Sequence, residues 1–259
     1  MKIKIVFRPK QTKGYFMKYF FIFLLLAATL TADDAESIVK RMDDLMRGKT
    51  SYSKITMIVT TKRSERKMTM EGWSEGNDKS FIKILYPKKD YGITFLKIDD
   101  AMWQYVPKIE KTIKIPPSMM LQSWMGSDFT NDDMVKESSI VEDYDKTIIA
   151  QDSESWTIEM IPKPDAAVVW GKIIMKVSKK YEMPLEVNYY DEDDVLEREL
   201  FYKDFRKLKD RYYPFLWSMF PKNEEKMGNE TRIEVETMEF DIPMDKALFT
   251  KRALKKYSR

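Results

Sequence analysis

The chain has 259 residues, 43% of them apolar and 34% charged, and it contains no His and no Cys. Those two zeros exclude zinc sites built on His or Cys, thiolate nucleophiles, disulfides, Ser-His-Asp triads and histidine proton shuttles. Any metal would need oxygen ligands, and any acid–base chemistry would fall to Asp, Glu, Lys or Tyr. With 14 Phe, 14 Tyr and 6 Trp, the chain can still bury a large core.

The formal charge of +3 is unevenly placed. Ahead of Asp33 stand Lys2, Lys4, Arg8, Lys10, Lys13 and Lys18 with no acid, and an apolar run from Tyr19 to Leu30 leads to Thr31-Ala32 and then Asp33-Asp34. A basic start, a short apolar run and a small residue before an acidic stretch predict a secretory signal peptide over residues 1–32. The run is too short for a spanning helix, which takes about 20 apolar residues. Met17 alone would begin a signal of more usual length. Cleavage after Ala32 removes six of the 45 basic residues and none of the 42 acids, so the exported chain carries a net charge near −3. That mildly acidic body is not expected to bind nucleic acid. No Cys follows the apolar run, so the chain is not itself a lipid-modified lipoprotein.

The exported part opens with an expected helix over Ala35–Arg47. Asp33 or Asp34 caps it, Ile38, Val39, Met42, Leu45 and Met46 recur at helical spacing, and Gly48 ends it. Gly48-Lys49-Thr50 is not the end of a phosphate-binding loop, because that motif needs a glycine where Asp43 stands. From Tyr52 the pattern turns to period two, with Ile55, Met57 and Val59 on one face and Met68 and Met70 on the next strand. Short strands follow at Phe81–Tyr86, Ile93–Ile98, Met102–Val106 and Thr112–Ile115, ending at Pro116-Pro117. A helical segment follows over Ser118–Glu137. Strands resume near Tyr144–Ala150, Ser155–Ile161, Val168–Ser178, Leu185–Tyr190, Leu196–Asp204, Tyr212–Met219 and Thr231–Phe240, and a last short helix begins after Asp245. The basic tail from Lys251 to Arg259 reads as a frayed end, or as a contact for an anionic headgroup or a partner. No linker or repeat is visible. The expected fold is mainly β, with a single curved antiparallel sheet covered by short helices.

Candidate chemistry is sparse. Asp191-Glu192-Asp193-Asp194 lacks the glycine and terminal Glu of a calcium loop and reads as a solvated turn. Asp128, Asp132 and Asp133 suit a helix start. Asn229-Glu230-Thr231 matches the glycosylation pattern by spacing short enough to occur by chance. Nothing local selects a carboxylate pair for glycosidase-type work from 42 acids, so no enzyme, cofactor or metal site is expected. Methionine is abundant and, with Trp and Tyr, is dense between positions 102 and 134. Flexible thioethers suit a surface that must fit variable apolar partners. Met119, Met120, Leu121, Trp124 and Met125, after the Pro-Pro break, read as a lid over a cavity.

Three stretches carry a family resemblance. Tyr86-Pro87-Lys88-Lys89-Asp90-Tyr91-Gly92-Ile93-Thr94-Phe95-Leu96, Met102-Trp103-Gln104-Tyr105-Val106-Pro107 and Trp124-Met125-Gly126-Ser127-Asp128-Phe129-Thr130-Asn131-Asp132-Asp133 resemble the outer-membrane lipoprotein-sorting proteins of the LolA/LolB-like superfamily, in its longer LolA-like branch. The resemblance covers residues 33–259. It implies an unclosed half-barrel with helices as a lid, and a periplasmic carrier that shelters the acyl chains of lipoproteins or other lipids on the way to the outer membrane. An inner-membrane transporter and an outer-membrane acceptor are the implied partners. The family's cavity arginine, which pairs with the lid, cannot be placed here residue by residue. Strand parity suggests Met57, Phe81, Phe95, Trp103, Tyr105, Ile113 and Ile115 as cavity residues, and a one-residue slip would invert any of these sets. The alternative function is an envelope-stress sensor of the RseB type, which uses a related half-barrel with a second, smaller domain.

Overall fold

The computed structural model describes residues 34–136 and 140–259, and residues 34–259 form one compact unit. The expected signal peptide lies outside the described residues. Helix α1 (Ala35–Arg47) is followed by β1 (Thr50–Thr60), β2 (Glu65–Glu75), β3 (Lys79–Tyr86), β4 (Thr94–Ile98), β5 (Ala101–Val106) and β6 (Lys111–Lys114). After a segment that includes α2 (Asn131–Lys136) come β7 (Tyr144–Gln151), β8 (Ser155–Pro162), β9 (Lys172–Ser178), β10 (Pro184–Tyr190), β11 (Leu196–Leu208), β12 (Arg211–Pro221) and β13 (Glu230–Phe240), then α3 (Lys251–Lys256).

The thirteen strands form one antiparallel sheet in the order β6-β5-β4-β3-β2-β1-β13-β12-β11-β10-β9-β8-β7. Two meanders are thus joined where β1 pairs with β13, from Ser51 opposite Phe240 to Thr60 opposite Glu230. The edges β6 and β7 are not paired with each other, so the sheet is curved but unclosed. Bulges at Lys54/Ile55, Thr69/Met70 and Tyr189/Tyr190 add local twist to long strands. Among the described residues, no helix is long and apolar enough to cross a membrane.

The inner face is covered from two sides. The Asp34 carboxylate accepts from the Ser37 N–H at 2.7 Å to start α1, and Gly48 closes it at a φ of 66° that glycine tolerates best. A Cβ on Gly48 would also come within 3.0 Å of Phe240. The buried stripe of α1, Ile38, Val39 and Met42, packs on the β7–β12 half with Tyr144, Ile158, Met160 and Leu200. At about 1.5–3 kcal/mol for each fully buried side chain, that stripe holds the helix down. The 115–136 segment covers the β1–β6 half, burying Ile115, Trp124 and Val135 against Met68, Ile84, Phe95 and Met102.

The outer face is covered as well. Asp245 caps a short turn over Lys246–Leu248, Thr250 caps α3, and Leu248, Phe249, Ala253 and Leu254 bury themselves against Phe81, Leu96 and Tyr105. The Thr94 hydroxyl donates to the Leu254 carbonyl at 2.8 Å in the interior of this contact. The basic tail is therefore a docked helix rather than a frayed end, because its apolar side has a sheet face to cover.

Candidate functional cavity

Between the inner face of the sheet, α1 and the 115–136 segment lies a cavity of about 340 Å³, within the range of small-molecule sites. Its walls are built from alternate residues of the strands: Ile55 and Met57 of β1, Met70 of β2, Ile82 of β3, Ile173 and Met175 of β9, Leu200 of β11, and Trp217 and Met219 of β12. Met42 and Met46 of α1 form the roof on one side, and Trp124, Phe129 and Met134 on the other. Eight methionines line it: Met42, Met46, Met57, Met70, Met134, Met175, Met219 and Met238. The thioethers come from α1, α2 and five strands, with only Met134 from the 102–134 region, which gives the wall an adaptable apolar surface. A second hollow of about 400 Å³ lies beside the first and shares Asp132, Val168 and Val169 with it. Asp132, Val168 and Val169 therefore form part of the partition between them.

The lid is stitched locally. Trp124 N–H donates to the Phe129 carbonyl at 2.7 Å, and Asn131 N–H to the Gln122 carbonyl at 3.0 Å. Asp128 fastens it to β13, with its N–H on the Thr231 hydroxyl at 3.0 Å and its carboxylate accepting from that hydroxyl at 2.7 Å. Thr130 and Asp133 cap α2 reciprocally: the Thr130 N–H donates to Asp133 Oδ2 at 2.7 Å, and the Asp133 N–H to Thr130 Oγ1 at 3.1 Å.

Asp133 has a second role. Arg198 of β11 donates from Nη1 and Nη2 to its two carboxylate oxygens at 2.7 and 2.6 Å, a bidentate pair that joins lid to sheet. Arg198 is 6% exposed, and its guanidinium lies against the rings of Trp170 and Tyr189, 4.4 and 4.3 Å from their centroids. Trp170 is held by the Tyr144 hydroxyl, which donates to its carbonyl at 3.2 Å. Burial alone would push the Asp133 carboxyl up, but Arg198 and the Thr130 hydrogen bonds outweigh it and hold it below the usual carboxylate range. Burial likewise opposes the charge on Arg198, and Asp133 more than restores it. Arg198 and Trp124 both line the cavity, and Arg198 Nε and Trp124 Nε1 are buried without a hydrogen-bond partner.

Arg198 is the residue that sequence reasoning missed. Its signal was parity: it alternates with Leu200 and Tyr202, which face inward, so it faces inward too.

The residues proposed from sequence divide among several places. Met57 and Trp124 line the cavity. Phe95 and Ile115 lie behind its wall in the same apolar cluster, with Phe95 5.3 Å from Trp124. Met119, Met120 and Met125 pack on that cluster from the lid, while Leu121 is 64% exposed beside the second hollow. Phe81, Trp103 and Tyr105 are on the outer face with α3, where Phe81, Leu96 and Trp103 sit opposite one another across β3, β4 and β5. The inward residue of β5 is Met102, one position off the expected parity. Ile113 lies on the edge strand and is 40% exposed.

The fold and site define a class: an unclosed antiparallel half-barrel enclosing an apolar cavity beneath a pinned lid. A family model described as "-like: Uncharacterized protein" matches residues 76–256, and the protein belongs to that family. Among solved structures, the chain is similar to a DUF1329 family protein from Desulfovibrio piger, at TM-score 0.76 and 23% identity over 86% of this chain and 100% of that one. It is similar to a protein described as an outer membrane lipoprotein-sorting protein domain from Vibrio parahaemolyticus, at TM-score 0.74 and 20% identity over 85% and 98%. A LolA superfamily protein from Nitrosomonas europaea matches at TM-score 0.71 and 18% identity over 86% and 100%. The chain shares the LolA/LolB-like fold. Comparison with curated proteins found no match. Among the described residues, no group of three or more Asp and Glu side chains is placed to hold a metal ion.

Proposed function

We propose that the protein is a periplasmic carrier that shelters the acyl chains of lipoproteins or other lipids during their passage to the outer membrane. The observation that carries this reading is the apolar, methionine-lined cavity closed by a lid that one buried ion pair fastens to the sheet. Hiding acyl chains from water yields about 25 cal/mol per Å² of apolar surface and needs no catalytic group. Release needs a lid that opens, and opening breaks Asp133–Arg198 together with Asp128–Thr231. Residues 1–32 act as the export signal and residues 33–259 as the carrier. An inner-membrane transporter loads it and an outer-membrane acceptor unloads it.

The reading is tested by titrating the purified protein with a fluorescent fatty acid. Saturable binding is expected, and Ile55→Trp, which fills part of the cavity, weakens it at least fivefold while the protein stays folded. Wild-type protein that binds no acyl probe, or a folded Ile55→Trp variant with unchanged affinity, overturns the assignment of this cavity.

A further inference from the structure

The inner face of the sheet is not apolar throughout. Successive inward residues of β1 run Ser51, Ser53, Ile55, Met57, and those of β2 run Ser74, Gly72, Met70, Met68 in the paired direction. Register aligns the polar members. Ser51 is opposite Ser74, Ser74 opposite Ser80 of β3, and Ser80 opposite Lys97 of β4. Three hydroxyls and an ammonium thus form one row across four adjacent strands, and all four residues line the cavity. In the next row Ser53 is opposite Gly72, and the Ser53 hydroxyl stands 3.1 Å from where a Cβ on Gly72 would lie. Beyond it the floor is Ile55 and Met70, which sit opposite each other.

The three serines of this patch are half-buried, and the exposed Gly76 and Asn77 stand at its edge. The row is bounded by Phe240 opposite Ser51 and by Met102 opposite Lys97, and both are buried. Lys97 is itself 8% exposed, and its ammonium donates to the Asn77 carbonyl at 2.6 Å, which fixes the charge at the end of the row. The Ser51 and Ser74 hydroxyls are 2.6 Å apart. Arg47 and Lys79 also line this end, and each is paired with a carboxylate, Asp43 at 2.7 Å and Glu75 at 2.9 Å. Short hydroxyl donors beside a buried lysine are the donor set that a phosphate oxygen takes, whereas an acyl chain uses none of it.

We infer that the Ser51–Ser74–Ser80–Lys97 row is a headgroup subsite for the phosphate of a glycerophospholipid whose acyl chains occupy the methionine-lined floor. This inference rests on the carrier reading and names its cargo class: an intact anionic lipid instead of bare acyl chains.

The test displaces the fluorescent fatty acid from purified protein with dioctanoyl phosphatidylglycerol, with dioctanoylglycerol, and with inorganic phosphate. The phospholipid is expected to compete at least tenfold more strongly than dioctanoylglycerol. Lys97→Met is expected to bring that ratio to about one with dioctanoylglycerol affinity unchanged. Ser74→Ala with Ser80→Ala, which removes two hydroxyls and no charge, lowers the ratio about threefold and serves if Lys97→Met fails to fold. Equal competition by the two lipids, or a ratio unchanged in the folded variants, overturns the headgroup subsite and leaves the carrier reading intact. Displacement by inorganic phosphate alone at the same concentration assigns the row to a free anion and overturns its role in lipid binding. If neither lipid displaces a bound probe, the carrier reading fails with it.

Discussion

Replacing Asp133 with Asn isolates the ion pair that fastens the lid. The substitution keeps the shape and leaves one carbonyl oxygen to accept from Thr130, so α2 stays capped. It removes the negative charge from a pair with two hydrogen bonds of 2.7 and 2.6 Å and strands Arg198, 6% exposed, against two aromatic rings. Breaking a buried pair from one side costs about 3–5 kcal/mol, because the remaining charge stays buried. For a domain of this size that corresponds to a thermal midpoint lowered by about 6–20 °C. If undocking the lid costs less than that, the loss is capped at the undocking energy and appears as faster amide exchange over the Trp124–Asn131 stitches. The paired variant Asp133→Leu with Arg198→Met removes both charges and is expected to recover most of the loss. Calorimetry together with amide exchange reads both quantities. An Asp133→Asn cost below about 1 kcal/mol with unchanged exchange, or a paired variant no more stable than the single one, would refute the buried-latch reasoning.

The latch also has a pH signature. Asp133 titrates below its unfolded value of about 3.9 when folded, so its stabilisation is complete above that value and is lost as pH falls through the lower folded value. The stability gap between wild type and Asp133→Asn is therefore expected to be flat from pH 8 to 5 and to shrink below about pH 4; a gap that already narrows between pH 8 and 6 contradicts this. On the outer face, Trp103 lies under Lys251, 4.5 Å from the ring centroid. Trp103→Ala is expected to cost about 2 kcal/mol in denaturant unfolding, less than a fully buried aromatic, with acyl-probe affinity unchanged. A tenfold loss of affinity in the folded variant would return Trp103 to the cavity.

Part of this architecture was legible because β8, β9, β11 and β13 bury alternate residues over much of their length. The capped start of α1, its apolar stripe and its closure at Gly48 followed from local chemistry alone. Legibility failed where both faces of the sheet are covered. Along β3 to β5 the lid packs on one side and α3 on the other, so both parities are apolar and Trp103 looked as suited to the cavity as Met102. The strand expected from Val168 begins only at Lys172, because Val168–Trp170 leave the ladder to line the cavity and stack on Arg198. An apolar run reads the same whether it pairs or covers. Arg198 itself sits in Leu196-Glu197-Arg198-Glu199-Leu200, where alternating charges suggest a solvated strand. Its partner is 65 positions away, and no local pattern records that distance.

Native mass spectrometry of the protein purified from envelope extracts reads whether the cavity holds lipid. A population shifted by the mass of one lipid is expected, identified by fragmentation as acyl chains with a phosphate headgroup, and reduced in the Ile55→Trp variant. Wild-type protein that is uniformly at its polypeptide mass, and remains so after incubation with phospholipid vesicles, would contradict it.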